Sequence, residues 1–300
     1  MMNILVTGAT GFIGGAVVKR LLDKPYNVKI LVRERKRLKN TKGIIICEGD
    51  LRDYKTIEKA VRDVDIVINC AAALPHHKLE DKDYWNINAL GVQNIVNACQ
   101  KSKVKRLIHI STVGIYDKYK DAYSRSKIEG EKIIKNSLFN SSTVIIRPTI
   151  AYGPGDVRPV FLKLFKMVKT GINISIGGGK NYFHTVYIDN LVNVILKTIE
   201  AKSALGEDFI VGDIICPRMK DVTKEIINVS NKFCINIIIP NNIASLVGKI
   251  IGKERMVKFV SENRRYKIDK VKKYLGIKSD IGISIGMKRT FDWYKENNLL

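Results

Sequence analysis

Tyr123 and Lys127 stand four residues apart in "YSRSKIEGEKIIK", so on a helix their side chains share one face. A phenol titrates at about pH 10 and is a poor base at neutral pH, but an ammonium held beside it favours the phenolate and lowers that value. Such a pair can take a proton from a substrate hydroxyl and return it. As an isolated pattern, Tyr-x-x-x-Lys more often marks a solvated helix face, so the rest of the chain decides its meaning. The other group able to do chemistry lies near the first residue. In "TGATGFIG", Gly8, Gly11 and Gly14 follow an apolar run and open a helix-like one, with Thr10, Phe12 and Ile13 between them. That context suits a pyrophosphate: a tight turn, close backbone approach, and a helix N-terminus whose free amides attract the anion.

These groups need a frame. Short apolar runs at residues 3–8, 28–33, 44–51, 65–73, 106–112 and 142–149 alternate with helical patterns, as β-α-β crossovers require. The expected fold class is α/β, a Rossmann-type doubly wound parallel sheet with a smaller C-terminal α/β lobe. The rhythm breaks near Gly155, with no internal repeat and no long Pro/Ser linker. The expected division is therefore a dinucleotide-binding core with the catalytic helix over 1–155, and mainly a substrate lobe over 156–300, some segments returning to the core. The run 243–252, "IASLVGKIIG", is apolar but too short to cross a bilayer, and a core helix or pocket wall is its expected use.

Composition narrows the function. The 300 residues carry 52 Lys+Arg against 29 Asp+Glu, a net charge of +23. The bases are spread along the chain, densest at 33–42, 101–106 and 267–274, without the Cys/His spacing, aromatic pattern or helix pair of a nucleic-acid reader, so no specific nucleic acid is expected. The charge fits either a phosphorylated ligand or a Lys-, Ile- and Asn-rich composition. Five scattered cysteines and histidines without partners (His76, His77, His184) suggest neither a disulfide framework nor a metal site. No run of eighteen apolar residues occurs and the sequence opens on a strand pattern, so a soluble, cytoplasmic protein without a membrane span is expected. The strand-like run 28–33 ends in Arg33, followed by Arg35, Lys36 and Arg37. Where a carboxylate would bind a ribose 2′-hydroxyl, these cations suit a 2′-phosphate, which slightly favours NADP; Glu34 keeps NAD open.

The chain resembles the extended short-chain dehydrogenase/reductase family, the NAD(P)-dependent sugar epimerases and dehydratases, from Asn3 almost to Leu300. The match runs through "TGATGFIG", "GDL" (49–51), "NCAAA" (69–73), "NALGVQN" (88–94), "STVGIY" (111–116), "YSRSK", "RPTIAYGPGD" (147–156), "VYIDNLV" (186–192) and the closing "FDWYKENNLL". The resemblance implies Asp50 and Leu51 at the adenine, Ala71, Ala72 and Ala73 along the cofactor, and Pro148 beside it. It also makes Tyr123 and Lys127 the catalytic pair, with Lys127 on the nicotinamide ribose. Aligned on its tyrosine, "STVGIY" makes Thr112 the hydroxyl donor to the reacting oxygen, with Ser111 as alternative. Tyr152 and Arg158 face the substrate, while Arg147 serves either the substrate or the strand end. Asp189 before an apolar helix is expected to cap or pack.

Two departures shape the expected reaction. Eleven positions separate Thr112 from Tyr123, so the loop over the site is short. Val113 and Gly114 stand where dehydratases of the family carry an acidic pair, which disfavours dehydration. The expected activity is NAD(P)-dependent epimerisation of a nucleotide-linked sugar through a keto intermediate, by a homodimer. The alternatives are an NADPH-dependent alcohol/ketone reductase of the hydroxysteroid or dihydroflavonol-reductase type, and a non-catalytic dinucleotide-binding or assembly protein.

Overall fold

The computed structural model describes residues 1–38, 41–277 and 281–300. Lys39 and Asn40 of the basic run 33–42 lie outside them, as does the side chain of Arg37. The strands are β1 (Met2–Thr7), β2 (Tyr26–Val32), β3 (Ile44–Glu48), β4 (Ile66–Asn69), β5 (Arg106–Ile110), β6 (Thr143–Pro148), β7 (Ile150–Tyr152), β8 (Ile172–Ile176), β9 (Thr185–Tyr187), β10 (Asp208–Val211) and β11 (Ile235–Ile239). The helices are α1 (Phe12–Leu22), α2 (Tyr54–Ala60), α3 (Asp81–Trp85), α4 (Gly91–Lys101), α5 (Ala122–Lys135), α6 (Pro159–Lys169), α7 (Ile188–Glu200), α8 (Met219–Ser230), α9 (Asn241–Ile250), α10 (Glu254–Ser261), α11 (Asp269–Leu275) and α12 (Ile283–Glu296).

One compact unit comprises Met1–Pro148, Val192–Val211 and Asp269–Ile277. Its seven strands run in the order β10-β6-β5-β4-β1-β2-β3, every pairing parallel. This is the doubly wound arrangement expected from the alternating runs, and β1 pairs with β4 where the strand order reverses, the point at which such sheets bind ligands. The residues of β4, β5 and β6 are all buried, as parallel strands covered on both faces must be. On one face Leu5, Val67, Leu107 and Ile145 of the sheet pack with Ile57, Val92, Val96 and Ile134 of α2, α4 and α5. Burying such aliphatic side chains stabilises the fold by about 1.5–3 kcal/mol each. A π turn over Asn86–Leu90 leads into α4.

The other unit comprises Thr149–Leu191, Gly212–Ile268 and Lys278–Leu300. It holds two parallel two-stranded ribbons, β7 with β9 and β8 with β11. Its core is aromatic: Tyr152 packs on Phe161 and Tyr187, and Phe165 on Phe291 and Tyr294. Asp189 lies inside the first turn of α7, beside Arg289 at 3.7 Å, and not ahead of the helix as a cap. The run 243–252 is helical through Ile250, but its large side chains are exposed, which corrects the expectation of a core helix. No helix among the described residues is long and apolar enough to cross a membrane.

Candidate active site

The glycine-rich turn joins β1 to α1, and its geometry explains its composition. Gly8 has φ of +68°, and a Cβ there would fall 2.6 Å from the amide nitrogen of Ala71. A Cβ on Gly14 would land on the carbonyl oxygen of Gly8. Gly11 precedes α1 without a side-chain cap, and the first turn carries no acidic residue. With no side-chain cap and no carboxylate in that turn, the helix N-terminus suits an anion. A dinucleotide pyrophosphate therefore fits the residues present.

Behind the turn runs a buried chain of polar side chains. Thr7 Oγ1 donates to Asn69 Oδ1 at 2.6 Å and accepts from the Ala71 amide at 3.3 Å. The Asn69 amide nitrogen stands 3.0 Å from His109 Nδ1, and His109 Nε2 lies 3.4 Å from Lys127 Nζ. Lys127 also donates to the carbonyl of Ile110 at 2.8 Å and is only 1% exposed. Burial lowers its ammonium from 10.5 to about 8, with Glu131 opposing the fall. Burial, aided by the charge of Lys127, holds His109 well below the ordinary imidazole range, so it is neutral at pH 7.

Helix α5 presents the other reactive groups. Asp121 caps it by accepting from the Ser124 amide at 2.6 Å. Tyr123, in the first turn and half-buried, precedes Lys127 by one turn on the same face. Asn88 of the π turn fixes this end of the helix: it exchanges two hydrogen bonds with the backbone of Ala73, at 2.8 and 3.1 Å, and donates to Ser126 Oγ at 3.0 Å. Ser126 Oγ donates in turn to the Tyr123 carbonyl at 2.8 Å. The helix approaches closely enough that a Cβ on Gly130 would fall on the Asn88 carbonyl oxygen. Past β5, Ser111 donates to Glu131 Oε1 at 2.5 Å, whereas Thr112 Oγ1 accepts from the Gly114 amide at 3.0 Å. The Thr112 hydroxyl thus keeps a proton to donate.

The model of the NAD dependent epimerase/dehydratase family matches residues 4–212, which span this whole constellation. The chain belongs to that family. Among curated proteins it is 30% identical to the UDP-glucose 4-epimerase of Vibrio cholerae over 99% of this chain and 96% of that one. It is 24% identical to a decarboxylating sterol-4-alpha-carboxylate 3-dehydrogenase of Saccharomyces cerevisiae, over 98% of both. The solved UDP-glucuronic acid 4-epimerase of Bacillus cereus, in complex with NAD, shares the fold with a TM-score of 0.80, covering 99% of both chains at 23% identity. The protein is thus an NAD(P)-dependent enzyme of the extended short-chain dehydrogenase/reductase type, in a family described as NAD dependent.

As an epimerase/dehydratase-family protein it places the remaining candidates unevenly. Ala71 and Ala73 sit past β4, tied to Thr7 and Asn88, and Pro148 is buried at the end of β6. Asp50 grips Arg52 through three bonds of 2.8–2.9 Å, which lower its carboxyl below the usual range, helped slightly by Arg33. Leu51 is buried against Gly91, so its side chain belongs to the core. Arg33 is exposed just past β2. In the other unit the expected substrate residues are otherwise engaged. Tyr152 is fully buried in the aromatic core, its hydroxyl against Gly286, and offers no surface to a small molecule. Arg158 chelates Asp156 at 2.6 and 2.9 Å and donates to the Ala151 carbonyl at 2.7 Å.

Two contributors, Glu131 and His109, escaped the sequence analysis, and for a third, Arg147, the sequence allows two roles. Glu131, buried, accepts from Ser111 and forks onto Arg147 at 2.8 and 2.6 Å; Arg147 also reaches Asp208 at 2.9 Å and Tyr116 at 2.9 Å. Arg147 is therefore a strand-end anchor of the sheet. Burial opposes its charge, but the two carboxylates outweigh burial and hold it raised. The spacing Tyr123, Lys127, Glu131 was itself a signal, since all three fall on one helical face. His109 gave little sign, as a lone histidine in an apolar strand is usually a satisfied core residue.

Proposed function

We propose that the protein epimerises a hydroxyl-bearing carbon of a nucleotide-linked sugar, with the Met1–Pro148 unit holding NAD and the other unit holding the substrate. The observation that carries this reading is the dehydrated Lys127 one turn from Tyr123, on a chain aligned end to end with a UDP-glucose 4-epimerase. Gly8, Gly11 and Gly14 would hold the pyrophosphate, Arg33 and Asp50 would lie at the adenosine end, and Lys127 would hold the nicotinamide ribose. Bound there, NAD supplies a hydride acceptor that later returns the hydride.

The chain's own work is proton handling. Lys127, kept dry, exerts its charge through a low-dielectric path and favours the phenolate of Tyr123. Tyr123 Oη takes the proton of the substrate hydroxyl as the C–H bond breaks, leaving a keto-sugar. Thr112 donates its hydroxyl proton to the same oxygen and holds it in place while Ser111 is committed to Glu131. After the keto-sugar turns over, Tyr123 returns the proton and the opposite configuration results. Val113 and Gly114 offer no acid for expelling a second hydroxyl, which favours epimerisation over dehydration.

The test is purified protein incubated with UDP-glucose or UDP-galactose and no added cofactor. Interconversion without added NAD supports the proposal. A second reading, net dehydrogenation, rests on the full-length match to a sterol dehydrogenase. It predicts one NADH formed per product and no return of the hydride. Failure of a broad nucleotide-sugar panel to react, with NAD bound, would overturn the epimerase reading.

A further inference from the structure

Helix α9 is built inside out for a water-soluble surface. Its small residues, Ala244 and Gly248, are the buried ones; a Cβ on Gly248 would come 2.8 Å from Val257 of α10. Its large apolar residues, Ile243, Leu246, Val247 and Ile250, are 46% to 75% exposed. They stand at i, i+3, i+4 and i+7, a continuous outward stripe. The strand just before it is exposed as well, Ile238 on its other face included. Register pairs Ile235 of β11 with Ile172 of β8 and Ile237 with Ile174, and these four isoleucines are 37% to 62% exposed. Scattered exposed isoleucines are ordinary, but a helical stripe and a ribbon face joined only by Pro240 are a patch of the kind that meets a partner.

Charge decides which partner. Residues 232–258 carry five cations (Lys232, Lys249, Lys253, Arg255, Lys258) and one acid, Glu254, which is paired with Lys258 at 2.8 Å. A second copy of the chain would bring the same excess of cations and be repelled. Apolar residues flanked by lysines match an anionic lipid surface, where long cationic side chains reach the headgroups while the stripe enters the acyl boundary. At ten residues, roughly 15 Å, α9 is too short to cross a bilayer and is suited to lie along one. We propose that α9 and the β8–β11 ribbon dock this protein on the surface of an anionic membrane.

The test is co-sedimentation of the full chain with vesicles of phosphatidylcholine alone or with about one third phosphatidylglycerol. The wild type should pellet with the anionic vesicles and much less with the neutral ones. Leu246→Glu/Ile250→Glu should bind at least about tenfold more weakly at an unchanged melting temperature, because both positions face water. Lys249→Glu/Lys253→Glu should lose the preference for anionic lipid. The proposal is overturned if the wild type stays in the supernatant at low salt, or if the Leu246→Glu/Ile250→Glu protein pellets equally. It is also overturned if light scattering finds a wild-type dimer that the same variant splits, without vesicle binding, since the stripe would then belong to a second copy.

Discussion

Replacing Lys127 with methionine tests the dryness of its ammonium without reference to any substrate. The folded value is about 8 against an ordinary 10.5, with burial the first cause. Because the folded value is the lower one, the unfolded chain binds more protons between those limits, and stability rises with pH across them. The cost of the buried charge is complete below about pH 8 and is released as pH climbs towards 10.5. At about 1.4 kcal/mol per decade the whole difference is about 3 kcal/mol. Roughly 1 kcal/mol of it is recovered between pH 7 and pH 9. Methionine carries no proton and has nothing to recover. It leaves the Ile110 carbonyl without its donor, a loss of about 1–3 kcal/mol that is the same at every pH and so drops out of the comparison. Urea denaturation of both proteins at about pH 7 and about pH 9 should therefore show wild type gaining about 1 kcal/mol more than Lys127→Met. Equal gains would mean that burial does not depress the Lys127 ammonium.

Tyr123→Phe should lower turnover by about 10²–10⁴-fold while NAD affinity, followed by fluorescence titration, changes little; wild-type turnover on the physiological substrate would end the proposed proton route. Arg147→Met should cost about 3–5 kcal/mol in chemical denaturation, because it removes the forked partner of buried Glu131 and leaves it only Ser111 and, at 4.0 Å, Lys135; a loss below about 1 kcal/mol would show that these two suffice. Arg33→Asp should weaken NADP by about 1.5–3 kcal/mol and NAD far less, read by calorimetry with each cofactor. Equal changes for both would remove Arg33 from the adenosine end.

The parts legible in the sequence were those that local periodicity or steric need writes down. Continuous apolar runs spell buried parallel strands, Gly8 and Gly14 occupy places where a Cβ would strike backbone, and a four-residue spacing puts Tyr123 and Lys127 on one face. Contacts made across the chain were not legible. Arg147 looked equally like a substrate ligand and a strand anchor because its partners lie 16 and 61 residues away. Tyr152, next to a glycine-rich loop, read as a pocket residue, yet a tyrosine carries enough apolar ring to be drawn wholly into an aromatic core. In α9 the apolar run was visible, but an apolar run does not say which side the rest of the protein covers. That depends on Ala244 and Gly248 being small enough to let α10 close in.

The sheet's edge strand arrives late. β10 pairs with β6 only after more than fifty intervening residues, and Asp208 at its start completes the charge cluster of Arg147. Arg106 of β5 similarly waits for the carbonyls of Thr198 and Ala201. A nascent chain stopped after Pro148 therefore has all of its glycine loop and its Tyr-Lys helix, but presents the bare backbone of β6 and a half-paired buried arginine. An unpaired edge on a strand built to be buried along its whole length invites pairing with another copy. Fragments cut at the apparent end of the dinucleotide-binding region should thus aggregate, while release from the ribosome beyond residue 211 lets the strand close the sheet.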